Sequence, residues 1–247
     1  MKKMNKFHWE PSPRWVRVQF AGEFIADSRK VLLVWEGSGS RLHYYFPRED
    51  VRQEYLVETG RASKGRSSWH VQVGTQKAEN AAWSYSEAPN GLDGIEGYIS
   101  FRWNKMDHWF EEEEEQFLHP RDPYTRVDTI PSSRHIRVEI DGVTVAETKR
   151  PFLLFETHAP TRYYIPAEDV NMALLQANNS QTVCPYKGTA SYWSAHIGEA
   201  IYKDIVWSYQ NPIPETPKIK QLLSFYNEKV DVFVDGVKEE RPLSAWS

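Results

Sequence analysis

Cysteine is nearly absent: the 247 residues hold one, Cys184. No disulfide can form within the chain, and zinc sites built on cysteine pairs are excluded. Basic charge is not in excess either. Thirty Lys and Arg stand against 34 Asp and Glu, a formal charge of −4, without the basic stripe that marks a nucleic-acid surface. Apolar runs such as Val31 to Trp35 fall far below the roughly 20 residues a membrane helix needs. The opening Met1-Lys2-Lys3-Met4-Asn5-Lys6 has no apolar stretch behind it and does not read as a secretory signal. The eight histidines form neither a His-x-His nor a His-Glu-x-x-His spacing, and no Gly-x-Ser-x-Gly elbow occurs. The expectation is a soluble, cytoplasmic protein with no metal, no cofactor, and neither nucleic acid nor membrane as partner; the oligomeric state is left open.

Aromatic residues are abundant. They make up 14% of the chain and include ten Trp, more than a core of ordinary composition uses, so some are expected to line a pocket. Their placement shows a repeat. Arg17-Val18-Gln19-Phe20-Ala21-Gly22 lies over Arg137-Val138-Glu139-Ile140-Asp141-Gly142, and Glu36 lies over Glu156. Tyr44-Tyr45-Phe46-Pro47 then meets Tyr163-Tyr164-Ile165-Pro166. Further on, Trp69 meets Trp193, Trp83-Ser84-Tyr85 meets Trp207-Ser208-Tyr209, and Ser100-Phe101 meets Ser224-Phe225. The offset drifts from 120 to 124, as loop insertions between fixed elements require.

Each copy reads as mainly β. Val16, Val18 and Phe20 alternate with Arg17 and Gln19, the pattern of a half-buried strand. Val31 to Trp35 and Phe152 to Phe155 read as buried strands, and Asp141-Gly142 as a hairpin turn. One short helix per copy is expected. In the second copy Ile219, Leu222, Leu223 and Tyr226 fall at helical spacing after Pro217. The fold class is therefore two tandem repeats of a small β barrel or sandwich, residues 14–110 and 134–241. Between them lies an acidic and Pro-rich linker, 111–133, in which Glu111 to Glu115 read as a solvated run.

With the motifs assembled, a resemblance can be named. Phe20-Ala21-Gly22-Glu23, the Tyr-Tyr-x-Pro-x-Glu-Asp-Val segments, Cys184-Pro185-Tyr186-Lys187-Gly188, Trp207-Ser208-Tyr209 and Val234-Asp235-Gly236 resemble domain-of-unknown-function family 427. The linker His119-Pro120-Arg121-Asp122-Pro123-Tyr124 is similar to that of its tandem members. The resemblance implies a β-tent-like domain. It also brings a nucleotidyltransferase-like label, which Gly37-Ser38-Gly39-Ser40 supports weakly: the segment reads as a hairpin loop with no acidic pair for metal ions after it.

Cys184-Pro185-Tyr186-Lys187-Gly188 is the most unusual segment. Lys187 is placed to lower the thiol pKa if the loop folds back, although a lone cysteine is as a rule a small buried hydrophobe. When the first copy is aligned with one residue deleted before Trp69, Lys64-Gly65 matches Lys187-Gly188, and Arg61-Ala62 stands in place of Cys184-Pro185. The first site thus reads as degenerate. Cys184, Lys187 and Glu156 form the candidate catalytic set, Glu156 being also open to an ion pair with Arg162 or Lys187. Arg162, Tyr164, Tyr186, Tyr192, Trp207 and Tyr209 form the candidate ligand set, an arginine clamp with aromatic walls. The leading expectation is binding of a small planar or charged metabolite in the second repeat. The alternative is a small-molecule enzyme using Cys184 or Glu156 with Lys187, and nucleotidyl transfer ranks last.

Overall fold

A computed structural model describes residues 7–37, 42–59, 65–244 and 246–247. Ser38-Gly39-Ser40, weighed above as a phosphate loop, and Arg61, Ala62 and Lys64 lie outside the described residues. The chain divides into two compact units, Met1–Asp122 and Pro123–Ser247.

The strands of the first unit are β1 (Phe7–Pro11), β2 (Val16–Phe20), β3 (Glu23–Ser28), β4 (Leu32–Glu36), β5 (Leu42–Phe46), β6 (Leu56–Glu58), β7 (Arg66–Val73), β8 (Gln76–Tyr85), β9 (Ile99–Phe101), β10 (His108–Glu111) and β11 (Glu114–Gln116). Those of the second are β12 (Val127–Pro131), β13 (Ile136–Ile140), β14 (Val143–Thr148), β15 (Phe152–Glu156), β16 (Arg162–Tyr164), β17 (Leu175–Cys184), β18 (Gly188–Ile197), β19 (Ala200–Tyr209), β20 (Leu223–Phe225), β21 (Asp231–Val234) and β22 (Val237–Lys238). The two sets correspond one to one.

Sheet order confirms the duplication. The first unit has a seven-stranded sheet, β1-β4-β5-β9-β8-β7-β6, and a four-stranded sheet, β11-β10-β2-β3. The second repeats both orders, with its large sheet interrupted between β16 and β20. There a single bridge remains, with Ile165 and Leu223 exchanging hydrogen bonds of 2.7 and 2.9 Å. Bulges recur too: the register slips between Trp69 and Val71 on β7 and between Trp193 and Ala195 on β18. Opposite each slip sits a non-glycine residue with positive φ, Asn80 and Asp204. Among the described residues no barrel closes; the first unit is a pair of antiparallel sheets, and the second keeps that plan with its large sheet in two parts.

The apolar runs are explained by burial on both faces of the large sheet. In the first unit Leu33, Trp35, Tyr44 and Phe46 join Val16, Val18 and Phe20 in the core between the sheets. Leu32, Val34, Tyr45 and Trp83 point the other way, onto Leu92 and Ile95 of the following loop. The second unit does the same with Leu154, Tyr164, Trp207 and Tyr209 on its outer face, covered by Ile219.

The expected helices do not form. All helical segments among the described residues are three-residue 3-10 turns, and Pro217–Ile219 is one of them. Gln221 then takes a left-handed φ of 61°, and Leu223–Phe225 pairs with β19 as a strand. The helical spacing arose from two faces read as one: Ile219 and Leu222 pack on the outer cluster, Leu223 and Phe225 on the core between sheets. Short apolar runs do not separate these cases by periodicity. The 111–133 stretch also takes part in pairing, since β11 and β12 lie within it. Glu113 is solvated as expected, but Glu111 is 6% exposed and accepts hydrogen bonds from Tyr44 and Arg14. No helix among the described residues is long and apolar enough to cross a membrane.

The glycine of the retained Lys-Gly pair has a backbone reason. Gly188 follows the Pro185–Lys187 turn with φ +101°, and a Cβ there would meet the Asn211 carbonyl at 3.3 Å. Gly65 has φ +71° and would meet Glu87 at 2.8 Å. Gly65 and Gly188 thus face the loops that follow β8 and β19, each at a φ that favours glycine. Gly188→Ala is expected to destabilise the protein by about 1–3 kcal/mol, read as a lower urea midpoint with unchanged slope; an unchanged midpoint would contradict the assignment.

Candidate functional site

Antiparallel pairing brings the candidate residues of the second unit together. Glu156 ends β15, Arg162 and Tyr164 lie on β16, and Cys184 ends β17. Tyr186 and Lys187 occupy the turn, Tyr192 is on β18, and Trp207 and Tyr209 are on β19. The Lys187 ammonium pairs with the Glu156 carboxylate, and both side chains are largely buried. Cys184 is half-buried and packs against the cluster that holds Tyr164 and Tyr209. Trp207 donates its indole N–H to the Tyr164 hydroxyl at 3.2 Å. Burial pushes the Tyr164 and Tyr209 hydroxyls well above the usual tyrosine range, and the nearby Glu156 and Cys184 add to the shift. Both remain neutral hydroxyls at physiological pH. Tyr186 stays in the turn, partly exposed.

The polar ring set is not confined to the second copy. In the first unit Tyr45 donates to Glu36, Trp83 donates to Tyr45 at 2.7 Å, and Tyr85 approaches Glu36 at 3.5 Å. These are the equivalents of Tyr164, Glu156, Trp207 and Tyr209. A serine sits between the Tyr and Trp strands in each copy, Ser100 and Ser224, fully buried with an unpartnered hydroxyl. This cluster is therefore a property of the repeat.

Arg162 does something peculiar to the second copy. It is not paired with Glu156. Its guanidinium makes a two-point contact with Glu228, at 2.6 and 2.7 Å, and also donates to Asn227. Side-chain exposures are 8% and 0%, so the pair is desolvated. The same guanidinium lies 5.4 Å from the Trp207 ring, 5.8 Å from Tyr226 and 5.2 Å from Trp246. Glu228 further accepts from Ser244, which fixes the segment carrying Trp246. The first copy has His43 and Asn104 at the two positions.

Beside this hub opens a hollow of about 500 Å³, within the range of small-molecule sites. Thr182, Tyr192, Tyr226 and Trp246 line it, with Lys203 and Lys229 beside them. The hydroxyls form a row: Thr182 to Tyr192 at 2.8 Å and Tyr192 to Tyr226 at 3.3 Å. Tyr226 packs on Trp207 with ring centres 4.6 Å apart. Of the sequence candidates, Tyr192 lines the hollow, while Arg162 and Trp207 support its walls from behind. Cys184, Lys187 and Glu156 belong to the neighbouring buried cluster. Sequence reasoning missed Tyr226, Trp246, Lys203, Lys229 and Thr182. A signal for Tyr226 existed, because it stands where the first copy has Arg102. Arg102 reaches the Asn80 carbonyl at 2.7 Å and lies 5.8 Å from Trp83.

Two other hollows, lined by Glu147, Thr148 and Asp169 in the second unit and by Asp27, Asp50 and Arg52 in the first, lie at equivalent places in the two copies. In the second unit Arg150 pairs with Glu168 and Asp169; in the first Arg52 pairs with Glu54, while Asp27 and Asp50 accept from Trp15 and Ser28. No group of three or more metal-ligating side chains occurs among the described residues.

Fold and site thus define a tandem, mainly β protein whose copies share a buried Tyr-Trp-Glu cluster and differ at one ring-walled hollow. The family model described as a domain of unknown function (DUF427) matches residues 8–112 and 128–236, and the chain belongs to that family as a tandem member. No curated protein sequence matches it.

Removing Glu228 leaves a buried guanidinium uncompensated, a loss of about 3–5 kcal/mol. Glu228→Leu is therefore expected to lower stability by that amount in urea unfolding, and adding Arg162→Met to restore much of it. Burial alone would raise the Glu228 pKa, but hydrogen bonds from Arg162 and Ser244 outweigh it and hold the carboxyl below its ordinary value. Its stabilisation is present above the unfolded glutamate pKa of about 4.3 and is lost as pH falls through the lower folded value. Glu228→Gln should flatten the stability profile in that acid window; an unchanged profile would show that the pair carries no linkage.

Proposed function

We propose that the protein binds a small planar metabolite in the hollow of its second unit, ring against ring. The observation that carries the reading is the three-ring wall of Tyr192, Tyr226 and Trp246 around about 500 Å³, with the guanidinium of the desolvated Arg162–Glu228 pair against Tyr226 and Trp246. Rings fixed from behind lose little side-chain freedom when a ligand arrives, which favours binding. A cytoplasmic setting is part of the proposal.

Catalysis by Cys184, Lys187 and Glu156 is less well supported by the geometry. The ammonium and carboxylate neutralise each other, and those groups are absent from the lining of the hollow.

A screen of planar metabolites is expected to raise the melting temperature and to change Trp fluorescence. Tyr226→Ala should weaken any hit at least tenfold, whereas Arg102→Ala, the equivalent change in the first unit, should leave its affinity within about twofold. Equal losses from both variants, or no hit across the screen, would contradict the proposal.

A further inference from the structure

We infer that the ligand of this hollow is a planar anion: an aromatic or heteroaromatic ring carrying a carboxylate or phosphate, with its charge at Lys203 and Lys229. This rests on the reading above that the hollow takes a ring-bearing ligand, and it names the class.

The lysines of the hollow carry charge that no ion pair among the described residues takes up. Lys203 and Lys229 both line the hollow. Neither forms an ion pair among the described residues; Lys229 has only the face of Tyr226, 5.3 Å away. Two ammonium groups that line one concave surface, neither held in an ion pair, favour an anion there. Asp204 is the one acidic side chain in the lining. Its oxygens are already engaged, one by the Asn178 amide at 2.7 Å and the other by the Ser180 hydroxyl at 3.1 Å. Arg162, behind the wall, is matched by Glu228. The Asn178 and Ser180 donors are neutral and leave the Asp204 carboxylate charged, so among the lining side chains two ammonium groups stand against one carboxylate, and the lysines carry the excess.

The hydroxyls suit the same ligand. Thr182, Tyr192 and Tyr226 form a continuous row along the wall. Burial and the adjacent Tyr192 push the Tyr226 hydroxyl above the usual tyrosine range, so it keeps its proton as a donor. Charge-assisted hydrogen bonds from a neutral hydroxyl to an anionic oxygen are stronger than those to a neutral acceptor. Across the duplication the charge reverses at one key position. Lys203 corresponds to Glu79 in the first copy, Asp204 to Asn80, Tyr192 to Ser68 and Tyr226 to Arg102. The shared frame does not demand a cation at 203, since the other copy uses an acid at that position of the same bulged hairpin. The lysine belongs to the hollow.

The test is calorimetric titration of the full chain with indole-3-carboxylate, phenyl phosphate and the neutral indole-3-carboxamide, against wild type and the Lys203→Gln, Lys229→Gln double variant. Both lysines are exposed, so the double variant should keep the wild-type melting temperature. In wild type at low salt at least one anion is expected to bind tenfold or more tighter than the amide, with the advantage shrinking as salt is added. Whichever anion is tighter identifies the group recognised. The double variant should lose the preference while holding the amide within about twofold. Equal binding of amide and anions in wild type, or a preference that survives in the double variant, would overturn the charge assignment and leave ring binding intact. Absence of binding by all three probes would overturn ring binding as well.

Discussion

The contact between Arg162 and Glu228 gathers three of the rings around the hollow of the second unit. A buried two-point ion pair contributes little net stability over an apolar pair, yet it severely penalises any arrangement that separates its members. Here that constraint serves geometry. One guanidinium is held in place by Glu228 and Asn227, and three aromatic rings lie within 6 Å of it. Trp207 and Tyr226 come from the sheet and the segment after it, and Trp246 arrives on a segment fastened to the same carboxylate through Ser244. Tyr226 and Trp246, two walls of the hollow, lie against a pair that the first copy, with His43 and Asn104, cannot form.

Duplication makes the comparison internal to one chain. Strand order, bulges, left-handed bulge residues and the turn glycines recur in both units. The buried Tyr-Trp-Glu set recurs as well, down to the unpartnered serine beneath it. Features repeated this closely are what the fold requires. The remainder differs sharply: where the second unit has an aromatic at 226 and a lysine at 203, the first has Arg102 crossing to the Asn80 carbonyl and Glu79. Function is best sought in that difference, because folding alone explains the rest.

Much of this was legible from the chain itself. Alternation in Val16-Arg17-Val18-Gln19-Phe20 declared a half-buried strand, the matched motifs declared two copies, and the family follows from both. The pairing of Glu156 with Lys187 was among the alternatives that residue types allowed. Arg162 with Glu228 was not, because 66 positions separate them and their segments meet through the Ile165–Leu223 bridge and the Asn227 amide on the Thr161 carbonyl. The hollow escaped for a related reason. Tyr226 fell within an apolar spacing that fits a helix and also fits a strand buried on two faces, and sheet pairing decided between them. The retained Lys-Gly pair looked like half of a chemical motif. Its glycine is instead a backbone requirement, visible only once φ and the approach of Asn211 and Glu87 are known.

We place ligand recognition in the second unit, at the rings gathered around Arg162. Indole N–H resonances in ¹⁵N–¹H spectra test it most directly, since each Trp reports its own surroundings during titration with an aromatic acid. The account predicts that the Trp246 and Trp207 signals move together and saturably while Trp83, the first-copy equivalent, stays in place. Movement of Trp83 with Trp246 unaffected would contradict it.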